Sequence, residues 1–421
     1  MRILMLAWEY PPNLKSGLGK ACEGLARGLA EVGLEVTVVL PKVTGEESAS
    51  NIRVISLEAG RDLTDALRQM EGRVHEWPKI HPMAKPAFAL QEARQAGLLR
   101  ASKPNSHHYF GRQTSYGPET LEAVMRYSER TQILNGLAFD CIHCHDWLTL
   151  PGGLKLKGAT GKPLIYHVHS LEGERAGDTA HNLIDEIERR GLSEADHIVT
   201  ISHQAKRHLE QHYHVPGDKI SVVHNGVSRQ EGREVYGISS SKSQKKSVLF
   251  TGPFIFRKGP EYFVDAAAKV LEHYQDVRFV MSGSGEKLDA TLRKVTEWRL
   301  GDHFQFPGFL DGLALERVFL EADLYVMPSV DDPFGFAPLE AVVCDTPVII
   351  SKQSGAAEIL RHALQVDFWD IHKLAEYMLA ILTYEPLSRD MVAMAQRELQ
   401  QLAWRASAEA VAEIYKRWDH A

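Results

Sequence analysis

"RILMLAWEYPPNLKSGLGKACEGLARGLAEVGLEVTVVLP", residues 2–41, decides the fold class. "RILMLAW" is a short apolar run of the kind that forms a strand buried on both faces. "EYPPNLKSGLGK" is rich in Pro and Gly and is therefore a loop. From Gly17 onward, Leu18, Ala21, Cys22, Leu25, Leu29 and Val32 recur on one helical face, and Gly33 stands where a C-cap belongs. "EVTVVLP" is the next strand. Strand, helix and strand in that order make a βαβ unit, which implies a parallel sheet covered by helices on both faces.

Working outward, further apolar runs follow: "NIRVISL" (51–57), "DCIHCH" (140–145), "PLIYHVHS" (163–170), "DHIVTIS" (196–202) and "KISVVHNG" (219–226). Several end in His, Ser or Asn before a loop, and the crevice of an open parallel sheet lies beyond the carboxyl ends of its strands. The polar stretch 237–247 reads as a linker, so the first domain is expected over 1–236. Alternation then restarts through "SVLFTG", a helix from about Pro260 to His273, "VRFVMSG", "FQFPG", "LYVMPS" and "PVIIS". That is a second doubly wound domain over 248–386, of ordinary domain size. One last helix is expected at about 387–418, within a closing segment 387–421. Residues 60–135 read as loops between helices. His107, His108 and Tyr109 there are equally readable as substrate contacts and as a solvated loop.

With 421 residues, 44% apolar and 24% charged, the composition is that of a globular protein, and a net charge of −7 argues against a nucleic-acid binder. The apolar N-terminal run is too short for a signal peptide, and no stretch approaches the ~18 apolar residues of a membrane span. The expected location is cytoplasmic. Cys141, Cys144 and His145 have the C-x-x-C-H order of a haem site, a zinc half-site or a redox dithiol. Cys22 and Cys344 stand alone, so no second C-x-x-C exists to complete four thiolate ligands, although a mixed site with distant histidines stays open. Haem attachment belongs outside a reducing cytosol and a redox dithiol belongs at a helix start, whereas the residues before this run read as a strand, so a buried strand with two incidental cysteines is the preferred reading.

In the second domain, residues 325–360 run from strand through Pro-Ser and Asp332-Pro-Phe-Gly into a helix carrying Glu340. Unpaired N–H groups at a helix start suit a phosphate or a sugar hydroxyl, Gly335 admits close backbone approach, and a first-turn carboxylate can grip a ribose diol. A plain solvated helix-start acid reads as well. Upstream, Gly252 ends a strand, and Arg257-Lys258-Gly259 precede a helix where two cations can neutralise a diphosphate or simply be solvated. "MSGSGEK" (281–287) adds a glycine turn at Gly283.

Together these pieces resemble glycosyltransferase family 4, with kinship to bacterial and archaeal glycogen synthases. The resemblance spans nearly the whole chain. It rests on G-x-x-x-x-x-K-G at 252–259, the turn at 283, "GFL" at 308–310, P-S-x-x-[DE]-P-F-G at 328–335 and Glu340, with "HCHDW", "YHVHS", "IVTIS" and "VVHNGV" in the first half. It implies an α/β GT-B fold, two doubly wound Rossmann-like domains facing across a cleft, with the C-terminal helix crossing back to the first. The implied reaction is retaining hexosyl transfer without metal or cofactor. The donor is a nucleotide sugar, best read as ADP- or UDP-glucose, and the acceptor is a carbohydrate, best read as an α-glucan. A lipid, a cell-surface polysaccharide precursor, a small-molecule acceptor or a catalytically idle scaffold are the alternatives.

By the same resemblance His145, Asp332 and Lys258 carry the chemistry. Gly17, Arg257, Gly283, Gly308, Phe309 and Leu310 bind donor, with the base read by backbone near Gly308 to Asp311. Phe334, Gly335, Phe336 and Glu340 complete that set, while His169 and Asn225 touch the acceptor. Cys141 and Cys144 then pack inside the sheet. The chain departs from the family pattern at Pro253, where Arg is usual, at Asp332, where Glu is usual, and in "KSGLG", where a double glycine is usual.

Overall fold

The sheets are built from short runs buried along most of their length. In the first, β1 (Arg2–Leu6) is buried at four of its five positions. Beside it lie β2 (Glu35–Leu40), β3 (Ile52–Ser56), β4 (Cys141–His145), β5 (Leu164–Val168), β6 (His197–Thr200) and β7 (Ile220–Val222). The computed structural model describes residues 1–11, 17–42, 52–57, 116, 118–176, 183–227, 245–310 and 312–418. Among these the strands form two sheets. The first has the order β3-β2-β1-β4-β5-β6-β7, every neighbouring pair parallel. β8 (Lys246–Thr251), β9 (Val277–Ser282), β10 (Phe304–Gly308), β11 (Leu324–Met327), β12 (Val348–Ser351) and β13 (Leu364–Val366) form the second, ordered β10-β9-β8-β11-β12-β13 and also parallel.

Each sheet reverses its direction of winding once, between β1 and β4 and between β8 and β11. Loops leaving adjacent strands diverge at such a point, and the crevice they leave is where doubly wound sheets hold ligands. The chain divides into two compact units, Met1–Gly226 with Trp404–Ala421, and Val227–Ala403. In the first unit, one face of the sheet packs on helices Gly17–Glu31 and Trp404–Tyr415 through Cys22, Leu25, Leu29, Ala408, Val411 and Tyr415. The other face packs on helices Pro118–Arg130, Asp146–Thr160 and Leu183–Glu194. In the second unit, helices Pro260–Leu271 and Ile371–Thr383 share a core with Val248, Phe250, Phe279 and Val326.

His107, His108, Tyr109 and Asp311 lie outside the described residues, as does most of the linker stretch 237–247.

The single helix expected over 387–418 is two helices. Glu385–Gln400 belongs to the second unit and Trp404–Tyr415 to the first. No Pro or Gly marks the break. It falls where Leu402 O accepts from Val227 N at 2.8 Å, so the outgoing and returning strands of chain pair at one place. Continuing the helix would take that carbonyl away from its partner. Trp404 then packs on helix Gly17–Glu31. A Cβ on Gly24 would lie 2.0 Å from the indole, and one on Gly28 would lie 2.7 Å from Trp404 O. The second contact is backbone and cannot swing aside. Gly28→Val is therefore expected to destabilise the first unit by about 1–3 kcal/mol, read as a lower denaturant midpoint. An unchanged midpoint would mean that the two helices do not pack this closely.

Candidate functional site

At the β8/β11 switch point, two loops are stitched together through backbone. Val330 N donates to Arg257 O at 2.8 Å, and a Cβ on Gly259 would meet Pro328 O at 2.1 Å. This register brings the Lys258 ammonium against Asp332 Oδ2 in a largely buried ion pair. Asp332 is also tied down by its own loop: its N donates to Gln353 O, its O accepts from Gly355 N, and Oδ1 accepts from Phe334 N at 3.4 Å. Arg257 Nε donates to Asp331 O at 3.4 Å.

The glycine turns gather at the carboxyl ends of β8, β9 and β10. Gly252 N donates to Ser282 O, and Gly283 N donates to Gly308 O at 2.9 Å. Gly283 has φ +141°, and a Cβ there would lie 1.9 Å from Gly252 O, so no other residue fits. Gly308 leads into Phe309, 65% exposed, and the half-buried Leu310. Gly335 caps helix Phe336–Val343 with no side-chain bond to its first turn, leaving those N–H groups for a ligand. Phe334 is buried and packs edge-on to Phe336, with its backbone tied to Asp332 Oδ1 and Ser354 Oγ. Glu340 lies in the second turn of the same helix, half-buried. Of the residues expected at the donor, the second unit thus joins Lys258 to Asp332 directly, and Gly283 to Gly308.

In the first unit, His145 ends β4 at the β1/β4 switch point, next to the start of helix Asp146–Thr160. Its ring is fully buried, and Nδ1 bonds His169 Nε2 at 2.9 Å. The structure therefore brings His145 and His169 together, with His169, 9% exposed, nearer the surface. Gly17 opens its helix at an exposed position, and Asn225 is buried with its Nδ2 lacking a partner.

Two further histidines belong to the same stack. His143 Nε2 faces His167 Nδ1 at 3.1 Å, and His143 Nδ1 bonds the Tyr415 hydroxyl. The rings stack with centroids 4.7 Å apart for His143 and His145 and 4.4 Å for His167 and His169. Burial pushes His143 and His169 down to about 3 and holds His145 and His167 well below their usual range. All four are neutral at pH 7. One ring nitrogen from each of His143, His145 and His167 lies within 4.8 Å of the others, a grouping able to hold a metal ion. The signal was present in "HCH" and "HVH", since a period of two on adjacent strands gathers all four on one face.

The cysteines of the same strand do the opposite. Cys141 packs with Cys22 and Tyr415, whereas Cys144 packs with Trp147 and Tyr166 on the other side. Three residues along a strand is an odd step, so the two thiols point to opposite faces and cannot share a metal, a haem or a disulfide. Burial pushes both thiols far up, as expected of inert core cysteines.

Beneath the histidines lies a charged network that the sequence reading passed over. Asp146 takes φ +54° and accepts from His169 N at 2.7 Å and Ser170 N at 3.3 Å, so it ties the loop after β5 to the loop after β4. Burial pushes its carboxyl up to about 6. Arg175 bonds Glu188 at 2.8 Å, Glu172 at 3.1 Å and Ser170 Oγ at 2.7 Å, with its guanidinium 5.4 Å from the centre of the Tyr116 ring. Both glutamates are fully buried.

Two parallel doubly wound sheets, each with its polar loops at the switch point, are the two domains of a GT-B fold. The chain belongs to glycosyltransferase family 4. The family model described as Glycosyltransferase Family 4 matches residues 15–231, and the one described as Glycosyl transferases group 1 matches residues 234–398. An uncharacterized glycosyltransferase of Methanocaldococcus jannaschii is 29% identical over 378 residues, covering 86% of this chain and 83% of that one. The glycogen synthase of Mycobacterium tuberculosis is 24% identical over 426 residues, covering 99% and 94%. Among solved structures, Anabaena HepE in complex with UDP and glucose superposes with a TM-score of 0.64 at 17% identity, covering 99% of this chain and 100% of that one. Among the described residues, no helix is long and apolar enough to cross a membrane.

Proposed function

We propose that this glycosyltransferase moves glucose from ADP- or UDP-glucose to an α-glucan, with retention and without a metal in the transfer step. The observation that carries the reading is the loop pair at the β8/β11 switch point. It holds Lys258 against Asp332 beside the uncapped helix start at Gly335, with Glu340 in the next turn. A cation next to open N–H groups suits a diphosphate, on which charge grows as the glycosidic bond breaks. Lys258 and Arg257 stabilise that charge, Asp332 holds sugar hydroxyls, and Glu340 binds the ribose. His145 is assigned to the transferred sugar, with Nε2 the ring atom left over after Nδ1 bonds His169; the ring is buried here, so that contact requires the loops over it to open. The likeness to a glycogen synthase over almost the full chain favours glucose and a glucan, and the Anabaena protein bound to UDP and glucose favours a nucleotide sugar.

The test is nucleotide release from ADP-, UDP- and GDP-sugars, each with and without glycogen. Glucan-dependent release from ADP- or UDP-glucose is the expected result. Release that needs a different acceptor removes the glucan, and no release from any donor by folded protein removes transfer. Glu340→Ala is expected to raise KM for donor by about 10–100-fold, the equivalent of one charged hydrogen bond, with kcat little changed. An unaltered KM takes Glu340 out of the ribose role.

A further inference from the structure

The four-histidine stack contains more hydrogen-bonding capacity than its surroundings satisfy. A neutral imidazole has one N–H and one lone pair. Tyr415 takes Nδ1 of His143, His169 takes Nδ1 of His145, His143 Nε2 and His167 Nδ1 share one hydrogen bond, and the Nε2 atoms of His145 and His167 are buried with no partner among the described residues. Unpaired buried polar atoms are rare in folded proteins, and two in one cluster call for an explanation. Around the rings the same face carries Cys141, Ile165 and Val199, and farther along it His197 and Ser221 bond each other, so among the described residues no other side chain engages those nitrogens.

We propose that His143, His145 and His167 bind one divalent transition-metal ion of the zinc class. Imidazole is a preferred ligand for such ions, and three of them leave a fourth position open for water or an anion. Two nitrogens on a tetrahedral zinc at about 2.0–2.1 Å are about 3.3 Å apart. His143 Nε2 and His167 Nδ1, 3.1 Å apart, are hydrogen-bonded to each other in the ion-free site, and the three candidate ligand nitrogens lie within 4.8 Å of one another; because the rings stack at 15–40°, an ion must break that bond and turn the rings out of the stack to aim their lone pairs at one point. The outer partners are also in place. Ligating histidines usually engage their second nitrogen, which fixes tautomer and orientation, and here Tyr415 and His169 do this for His143 and His145. Binding needs only neutral imidazoles with their lone pairs turned inward, with no change of charge on the rings. An ion held this way occupies His145 Nε2, the atom assigned above to the sugar, and so opposes transfer rather than assisting it. Ion binding is read without substrate, so it stands or falls separately from the transfer reading.

The full chain, stripped with a chelator and dialysed, is titrated with Co2+ and then with Zn2+. The expected result is visible d–d absorption from one bound Co2+ per chain, displaced by one Zn2+. His143→Asn keeps a side-chain partner for Tyr415 and deletes Nε2, and should weaken binding by more than about 100-fold, beyond the about 10–100-fold that loss of an outer partner costs. Tyr415→Phe should fall inside that smaller range. His167→Gln is the second ligand variant, and circular dichroism checks that each variant folds. No Co2+ absorption and no retained Zn2+ in the wild-type chain overturns the proposal, as does wild-type affinity in a folded ligand variant. If neither ligand variant folds, zinc K-edge absorption of the wild-type complex decides. Three imidazoles support the site, and sulfur or carboxylate ligands in their place overturn it.

Discussion

Arg175→Met should destabilise the first unit by about 3–5 kcal/mol, the cost of leaving a buried charge without its partner. Arg175 is the shared cation of Glu172 and Glu188, both fully buried, and its guanidinium also bonds Ser170 O and Ser170 Oγ. Methionine keeps much of the volume and removes all of those bonds, so the loss reports charge rather than packing. The measurement is a denaturant midpoint for the variant and for Arg405→Met. Arg405 pairs with Glu409 at 3.0 Å with both side chains exposed, so its loss should cost under about 1 kcal/mol. Equal midpoints for the two variants would mean that the buried network contributes nothing special. Because Ser170 follows His169, the same change should loosen the segment that positions the histidine rim.

Lys258→Ala should lower kcat of nucleotide release by about 10²–10³, the usual effect of removing one group that stabilises charge in the transition state. The expected signature is a fall in kcat and in kcat/KM together, because the charge it meets develops as the bond breaks. Lys258→Arg should recover part of the rate, since it restores the cation beside Asp332. Lys352→Ala is the comparison: its ammonium pairs with Asp367 on the surface, and its loss should leave kcat unchanged. A threefold or smaller change at Lys258 would move the diphosphate role elsewhere, with Arg257 the next candidate.

Both doubly wound sheets were legible in the chain because their central strands are buried on two faces and read as unbroken apolar runs, whereas the short, half-exposed edge strand β13 was not expected. The placement of Gly252, Lys258, Asp332, Gly335 and Glu340 at or just beyond strand ends was legible too, because they are close in sequence to those ends. The C-terminal break was not. Residues 400–404 carry no helix-breaking residue, and what stops the helix is a hydrogen bond from Val227, some 175 positions away. Gly24 and Gly28 likewise read as ordinary helical positions until Trp404 lies against them.

The amino-acid sequence by itself determined the two parallel sheets, the family, and the pairing of glycine turns with basic and acidic loop residues, since all of these rest on local periodicity and short spacings. Only the tertiary structure decided that β4 and β5 lie side by side in a register that stacks His143, His145, His167 and His169 together. It also decided that Arg175 lies between two buried glutamates and that Lys258 meets Asp332. Those contacts join side chains from separate segments, and whether an ionisable group pairs, stacks or stays neutral depends on which neighbours the packed chain places within a few ångströms and on how far it excludes water.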